Sequence, residues 1–126
     1  GAFYMSSVRR LHYAAREPYA GSTNLLGTTP YLSRKPIQVV GPTDPDLEIL
    51  ITALAMEFEL ADGMFPTSVV LQSWRETIPA GVALGERLYR DGELRRMRRE
   101  GWAVAQVLDT LFDMLEQSTQ EAASHG

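Results

Sequence analysis

The chain has 126 residues, a formal net charge of -4, 44% hydrophobic and 22% charged residues, and no cysteine. That is the size and composition of a single globular domain able to bury a real core. No apolar run approaches the roughly eighteen residues of a membrane span, the lack of cysteine excludes disulfides, thiolate metal sites and a cysteine nucleophile, and the acid excess makes the chain as a whole repel nucleic acid.

A chain without cysteine fits a reducing cytoplasm, and no membrane association is expected. The opening GAFYM is too short and unpatterned for a signal peptide. Eleven of the twelve basic residues are arginine, with Lys35 the lone lysine. A GC-rich genome would produce that bias and is the expectation placed ahead of a chemical cause, but it does not explain why the arginines cluster.

Residues 1–42 read as an extended, mostly irregular N-terminal arm. Pro18, Pro30, Pro36 and Pro42, with interspersed Gly, Ser and Thr, prevent any apolar periodicity from lasting beyond two turns. One short helix is predicted over residues 7–16, with Val8, Leu11 and Ala15 on one side. Ile37 to Val40 is a brief extended piece that by itself makes no sheet. Disordered tails are usually poor in aromatics, yet this arm carries Phe3 and four tyrosines. Tyr13, Tyr19 and Tyr31 are therefore candidate anchors, either onto the arm's own domain or onto a partner that the arm wraps.

Residues 43–121 read as a helical bundle domain. Thr43 or Asp44 can cap a first long helix, Pro45 suits its first turn, and Asp62-Gly63 stops it after Ala61. At about 100° per residue, Leu47, Leu50, Ile51, Leu54, Phe58 and Ala61 share one face, and Ile49, Ala53, Met56 and Leu60 share another. Two apolar faces predict a central, sandwiched helix. Pro66-Thr67-Ser68 opens a second helix, with Val70, Leu71, Trp74 and Ile78 inward and Pro79 as its end. A third is predicted over Val82 to Arg90 and a fourth over Glu93 to Glu100. Gly101 then reads as a left-handed cap that brings Trp102 back onto Met97 in a Schellman motif.

The last helix is predicted from Ala103 to about Gln120, with residues 122–126 as a frayed tail. Its apolar residues cover about half the circumference, more than the roughly 100° stripe of a surface helix. Val104, Leu108, Leu111, Phe112 and Leu115 are the residues assigned to a possible oligomer interface, with Asp109, Asp113 and Glu116 on the polar side. The fold class is thus all-α, a compact bundle of four to five helices behind an irregular arm.

Chemistry finds little footing. His12 and His125 are the only histidines and neither sits in a metal-ligand spacing. Glu57, Glu59 and Asp62 are close in sequence but lack the Glu-x-x-His pairs of a di-metal bundle. Gly81 and Gly85 have no accompanying P-loop lysine. Ser68 and Ser73 have no nearby base and read as a cap and a surface residue. The expectation is a non-catalytic protein with no catalytic residue, cofactor or metal.

The distinctive stretch is Arg87, Arg90, Arg95, Arg96, Arg98 and Arg99, which could meet phosphates or acidic protein surface. Interleaved Glu86, Asp91, Glu93 and Glu100 reduce it to a net +2, and no aromatic residue is spaced for base stacking. The leading expectation is an adaptor, regulatory or assembly protein working through protein–protein contacts. In a homo-oligomer, the arginines of one subunit would face the acids of the last helix of another. The alternative is a nucleic-acid-binding regulator using residues 87–99. A solvated face neutralised by its own acids is the bland reading of the same arginines.

Overall fold

The computed structural model describes residues 2–125, and it is mostly helical, with one small sheet in the arm. The elements in order are α1 (Ala2–Met5), β1 (Arg10–His12), two single 3₁₀ turns (Thr23–Leu25 and Leu32–Arg34), β2 (Gln38–Val40), α2 (Pro45–Ala61), α3 (Val69–Thr77), α4 (Pro79–Asp91), α5 (Glu93–Arg99) and α6 (Val104–His125). Five helices, α2 to α6, form the body. No helix among the described residues is long and apolar enough to cross a membrane.

The helix predicted over residues 7–16 is not present. That segment is a turn followed by β1, which pairs in parallel with β2 in the register Arg10↔Gln38, Leu11↔Val39 and His12↔Val40. Tyr13 N–H extends the ladder to the Val40 carbonyl at 3.0 Å. A ten-residue helix is marginal on its own, and here the extended piece near residue 40 supplies a ladder that the helix lacks. The arm also closes on itself at its start. Tyr4 is its one buried apolar residue among those described, its ring lies 5.3 Å from that of Tyr31, and its hydroxyl donates to the Tyr31 carbonyl. Lys35 donates to the Tyr4 carbonyl at 3.0 Å and sits over the Tyr4 ring.

One ion pair joins arm to body among the described residues. The Arg16 guanidinium donates to both Glu48 oxygens, at 2.8 and 3.1 Å, and the Arg16 backbone N–H adds a third bond at 3.0 Å. Glu48 is buried in the first turn of α2. The Arg16 hydrogen bonds hold its carboxyl below the ordinary glutamate value against the opposing effect of burial, and the same contact raises the guanidinium.

The predicted helix ends recur in the structure. Asp44 caps α2 by accepting from the Asp46 and Leu47 N–H groups at 2.9 and 3.2 Å, with Pro45 in the first turn. Ser68 caps α3 by accepting from Leu71 N–H. Gly101 has φ +72°, Trp102 N–H donates to the Met97 carbonyl at 3.0 Å and Gly101 N–H to that of Arg98 at 3.2 Å. Those two bonds are the Schellman pattern.

Two boundaries moved. Helix α4 begins at Pro79 rather than Val82, because a proline that cannot continue α3 is well placed as the first residue of the next helix. Helix α6 continues to His125, so helix is found over 122–125 where a frayed tail was expected, and Gly126 of that tail lies outside the described residues. Glu121, Ala122 and Ala123 are good helix formers, and Ser118 and Thr119 bond back to carbonyls four residues earlier without breaking the helix.

The core lies between α2 and α4, the most extensive helix pair. Leu50, Ala53, Leu84, Leu88 and Leu111 form one buried cluster, and Met56, Leu60, Leu71 and Val82 form a second beside it. Gly81 and Gly85, one turn apart on α4, let the two backbones approach. A Cβ on Gly85 would lie 2.6 Å from Met56 Cβ and 2.7 Å from the Ala53 carbonyl oxygen, and one on Gly81 would lie 2.6 Å from Thr52 Cβ. The Ala53–Met56–Leu60 face of α2 is therefore the core face. The other predicted face is only half covered: Leu50 is buried and Leu54 packs beside it, while Ile51, Phe58 and Ala61 stay exposed.

Candidate functional site

The six arginines do not act as one patch. Arg87 and Arg90 both lean on Asp91, at 3.8 and 3.5 Å. Arg96 is held on two sides, at 2.9 Å from Glu93 and 2.9 Å from Glu100, and its guanidinium covers the Trp102 ring at 5.4 Å. Its hydrogen bond to Glu93, with Glu100 adding to it, pushes Arg96 above the ordinary guanidinium value. Arg95 covers the Tyr89 ring at 5.3 Å and donates to the Tyr89 carbonyl at 2.9 Å. Arg95, Arg98 and Arg99 have no ion-pair partner among the described residues.

Two of these three, Arg95 and Arg98, line an open groove of about 280 Å³ between α5 and the C-terminal end of α2. The helical repeat explains the assembly. On α2, Glu57 and Ala61 are one turn apart, as are Phe58 and Asp62; on α5, Leu94 and Arg98 are one turn apart, with Arg95 beside them. Helix α5 is oriented by Met97, fully buried on its inner side, and by the left-handed caps at Gly92 and Gly101. The groove thus combines two guanidinium groups, two carboxylates and apolar surface from Phe58, Ala61 and Leu94.

Two features of this groove were not read from the sequence. Phe58 keeps 64% of its surface exposed, although helical spacing alone assigns it to a core face. Glu57 is only 9% exposed, and no hydrogen bond or ion pair engages its carboxylate among the described residues. The proximity of Glu57 and Asp62 is visible in the chain, but their convergence on Arg95 and Arg98 requires α5 to fold back on α2.

The residues assigned to a possible oligomer interface separate. Leu111 is a correction: it is fully enclosed in the chain's own core, because α6 turns that face onto Leu50 and Leu88. Phe112 and Leu115 pack half-buried against the same cluster, Leu108 is half-buried, and Val104 is 74% exposed at the start of α6. The wide apolar arc is thus partly explained by intramolecular packing. The arm tyrosines also separate. Tyr13 packs on Gly41, where a Cβ would come within 2.7 Å of its ring; Tyr31 packs against Tyr4 with the rings tilted at 47°; Tyr19 is exposed.

The groove is lined by no histidine, serine, threonine or lysine among the described residues, and the described residues contain no group of three or more acidic or histidine side chains that could hold a metal ion. No protein-family model matches this chain, and no curated protein or solved structure matches it at a significant level.

Proposed function

We propose that the protein is a non-catalytic helical adaptor or regulatory protein, and that it docks another protein through the α2–α5 groove. The observation that carries this reading is Phe58, a large aromatic side chain left mostly exposed in a groove with charges of both signs. Burying an aromatic residue is among the largest single contributions to an interface, and arginine and aromatics are enriched at such surfaces. Ile51, two turns earlier on the same side of α2, extends the apolar stripe. The balance of two carboxylates against two guanidinium groups favours a protein surface over a polyphosphate.

Affinity capture from the native cell tests this. A discrete protein retained after nuclease treatment and lost with Phe58→Asp is the expected result. Capture of the same proteins by both forms would reject the groove as the docking site. The chain's lack of cysteine keeps the cytoplasm as the proposed setting.

Two other readings have specific support. Asp109, Asp113 and Glu116 on α6 form no ion pair within the described chain and Val104 is exposed, which suits self-association with the Arg98 and Arg99 side of a second copy. Arg98→Glu with Arg99→Glu then shifts the protein to a smaller species in sedimentation, and an unchanged species rejects it. The same free arginines support nucleic-acid binding. That reading requires affinity that falls with salt at the slope of several phosphate contacts, and no binding at about 50 mM salt removes it.

A further inference from the structure

We infer that the α2–α5 groove receives a basic side chain, lysine or arginine, carried by the docked protein next to a carboxylate of that protein. Glu57 and Asp62 take the cation, and Arg95 and Arg98 take the carboxylate. This rests on the adaptor reading above and specifies its partner's chemistry.

Glu57 is the starting point. Covering a carboxylate strips its water, which is costly unless a cation or strong donors replace that hydration. Glu57 is 9% exposed as a residue, lines the groove, and has neither kind of partner in the described chain; its carboxylate oxygens still reach the groove's solvent and would lose it to a docked segment. Its contrast is Glu48, also buried on the same helix but satisfied by three Arg16 bonds. The chain therefore supplies a cation to one buried glutamate of α2 and leaves the other facing an open groove.

The remaining walls suit the same occupant. Asp62 adds a second negative charge one turn beyond Phe58. The exposed Phe58 ring offers an aromatic face to an ammonium or guanidinium group. Leu94 and Ala61 offer apolar surface to the methylene stem that such side chains bury. On the α5 side, Arg95 is already oriented by the Tyr89 ring and carbonyl, and Arg98 has no acid of its own. A wholly apolar segment would cover Glu57 without replacing its water. A phosphate would meet Arg95 and Arg98 but also face both carboxylates. A paired cation and anion leaves none of the four charges opposed.

The test uses the full chain and small probes bearing these charges. Nα-acetyl-lysine has both; Nα-acetyl-norleucine lacks the cation; Nα-acetyl-lysinamide lacks the carboxylate. In amide-resolved NMR titrations, Nα-acetyl-lysine is expected to give saturable shifts confined to residues 57–62 and 94–98. Removing either charge, or introducing Glu57→Gln or Asp62→Asn, weakens binding about tenfold, the scale of one charge-assisted hydrogen bond. Asp62 is exposed, so Asp62→Asn keeps the test decisive if Glu57→Gln fails to fold. Absence of saturable shifts, or equal binding of Nα-acetyl-norleucine, overturns the inference. So does a captured partner lost with Phe58→Asp but retained by both Glu57→Gln and Asp62→Asn; in that case the adaptor reading survives. Charge-dependent probe binding together with capture indifferent to Phe58→Asp gives the reverse outcome.

Discussion

At the α2–α4 seam a Cβ on Gly85 would press to 2.6 Å from Met56 and 2.7 Å from the Ala53 carbonyl, whereas at the α5–α6 joint a Cβ on Gly101 would meet nothing within 4 Å. Gly85 sits mid-helix and is needed for space; Gly101 has φ +72° and is needed for its backbone conformation. The seam is closed, with Leu50, Ala53, Met56 and Leu88 fully enclosed. The joint is open, and beside it lie the unpaired arginines and the α2–α5 groove. The molecule thus concentrates its packing at one glycine pair and uses another glycine to aim a charged helix. The closely packed part and the candidate binding part are thus separate constructions on the same helix, α2.

The largest effect that can separate them is Leu88→Ala. Leu88 is fully buried between α2 and α6, so truncation is expected to lower unfolding free energy by about 2–5 kcal/mol in chemical denaturation. A loss near zero would mean the seam is not the core.

Gly85→Ala comes next. Overpacking costs about 1–3 kcal/mol, offset by the gain of about 1 kcal/mol from replacing a mid-helix glycine. A net loss is expected because the nearest obstacles include backbone. A variant more stable than the parent would show that the seam opens freely.

At the joint, Gly101→Ala costs about 1–2 kcal/mol from the left-handed conformation alone. Gly101→Asn recovers part of that loss, since asparagine tolerates this conformation. Gly85→Asn recovers nothing, because space rather than φ is limiting there. Parallel melting curves of the four variants decide whether the two glycines differ as described.

The smallest global effect belongs to Arg16→Ala. Removing one partner of a fully buried pair costs about 3–5 kcal/mol, but Arg16 is nearly half exposed and solvent screening reduces this well below that range. The visible result is earlier proteolysis within residues 1–42, with the body's melting little changed. The same link has a defined pH dependence. The folded Glu48 value lies below the ordinary 4.5, so its contribution is complete above that value and is lost as pH falls through the lower folded one. Glu48→Gln removes that acid-limb dependence, and an identical pH profile in both proteins would sink the assignment.

Much of the body is legible in the chain because helix ends obey short-range rules. Asp44, Ser68 and Gly101 each act on groups within a few residues, so their roles follow from local order. The arm is less legible because its contacts are remote: Arg10 pairs with Gln38, Tyr4 with Tyr31, and Arg16 with Glu48. The predicted helix over residues 7–16 lost to such a remote pairing. The same limitation applies at the candidate site. The arginine cluster is obvious in one dimension, but which members are neutralised is settled by Glu93, Glu100 and Asp91 in space.

By itself the amino-acid order determined the all-α class, the five body helices to within a few residues, and the caps that turn one into the next. These depend on hydrogen bonds and side-chain spacing within about one helical turn. Tertiary structure alone decided that Gly81 and Gly85 seat α4 on α2, that Leu111 is core, that Phe58 is left uncovered, and that Glu57 faces Arg95 and Arg98 across a groove. Helical periodicity can show that a face is apolar, but which neighbour covers that face depends on how the helices close around one another.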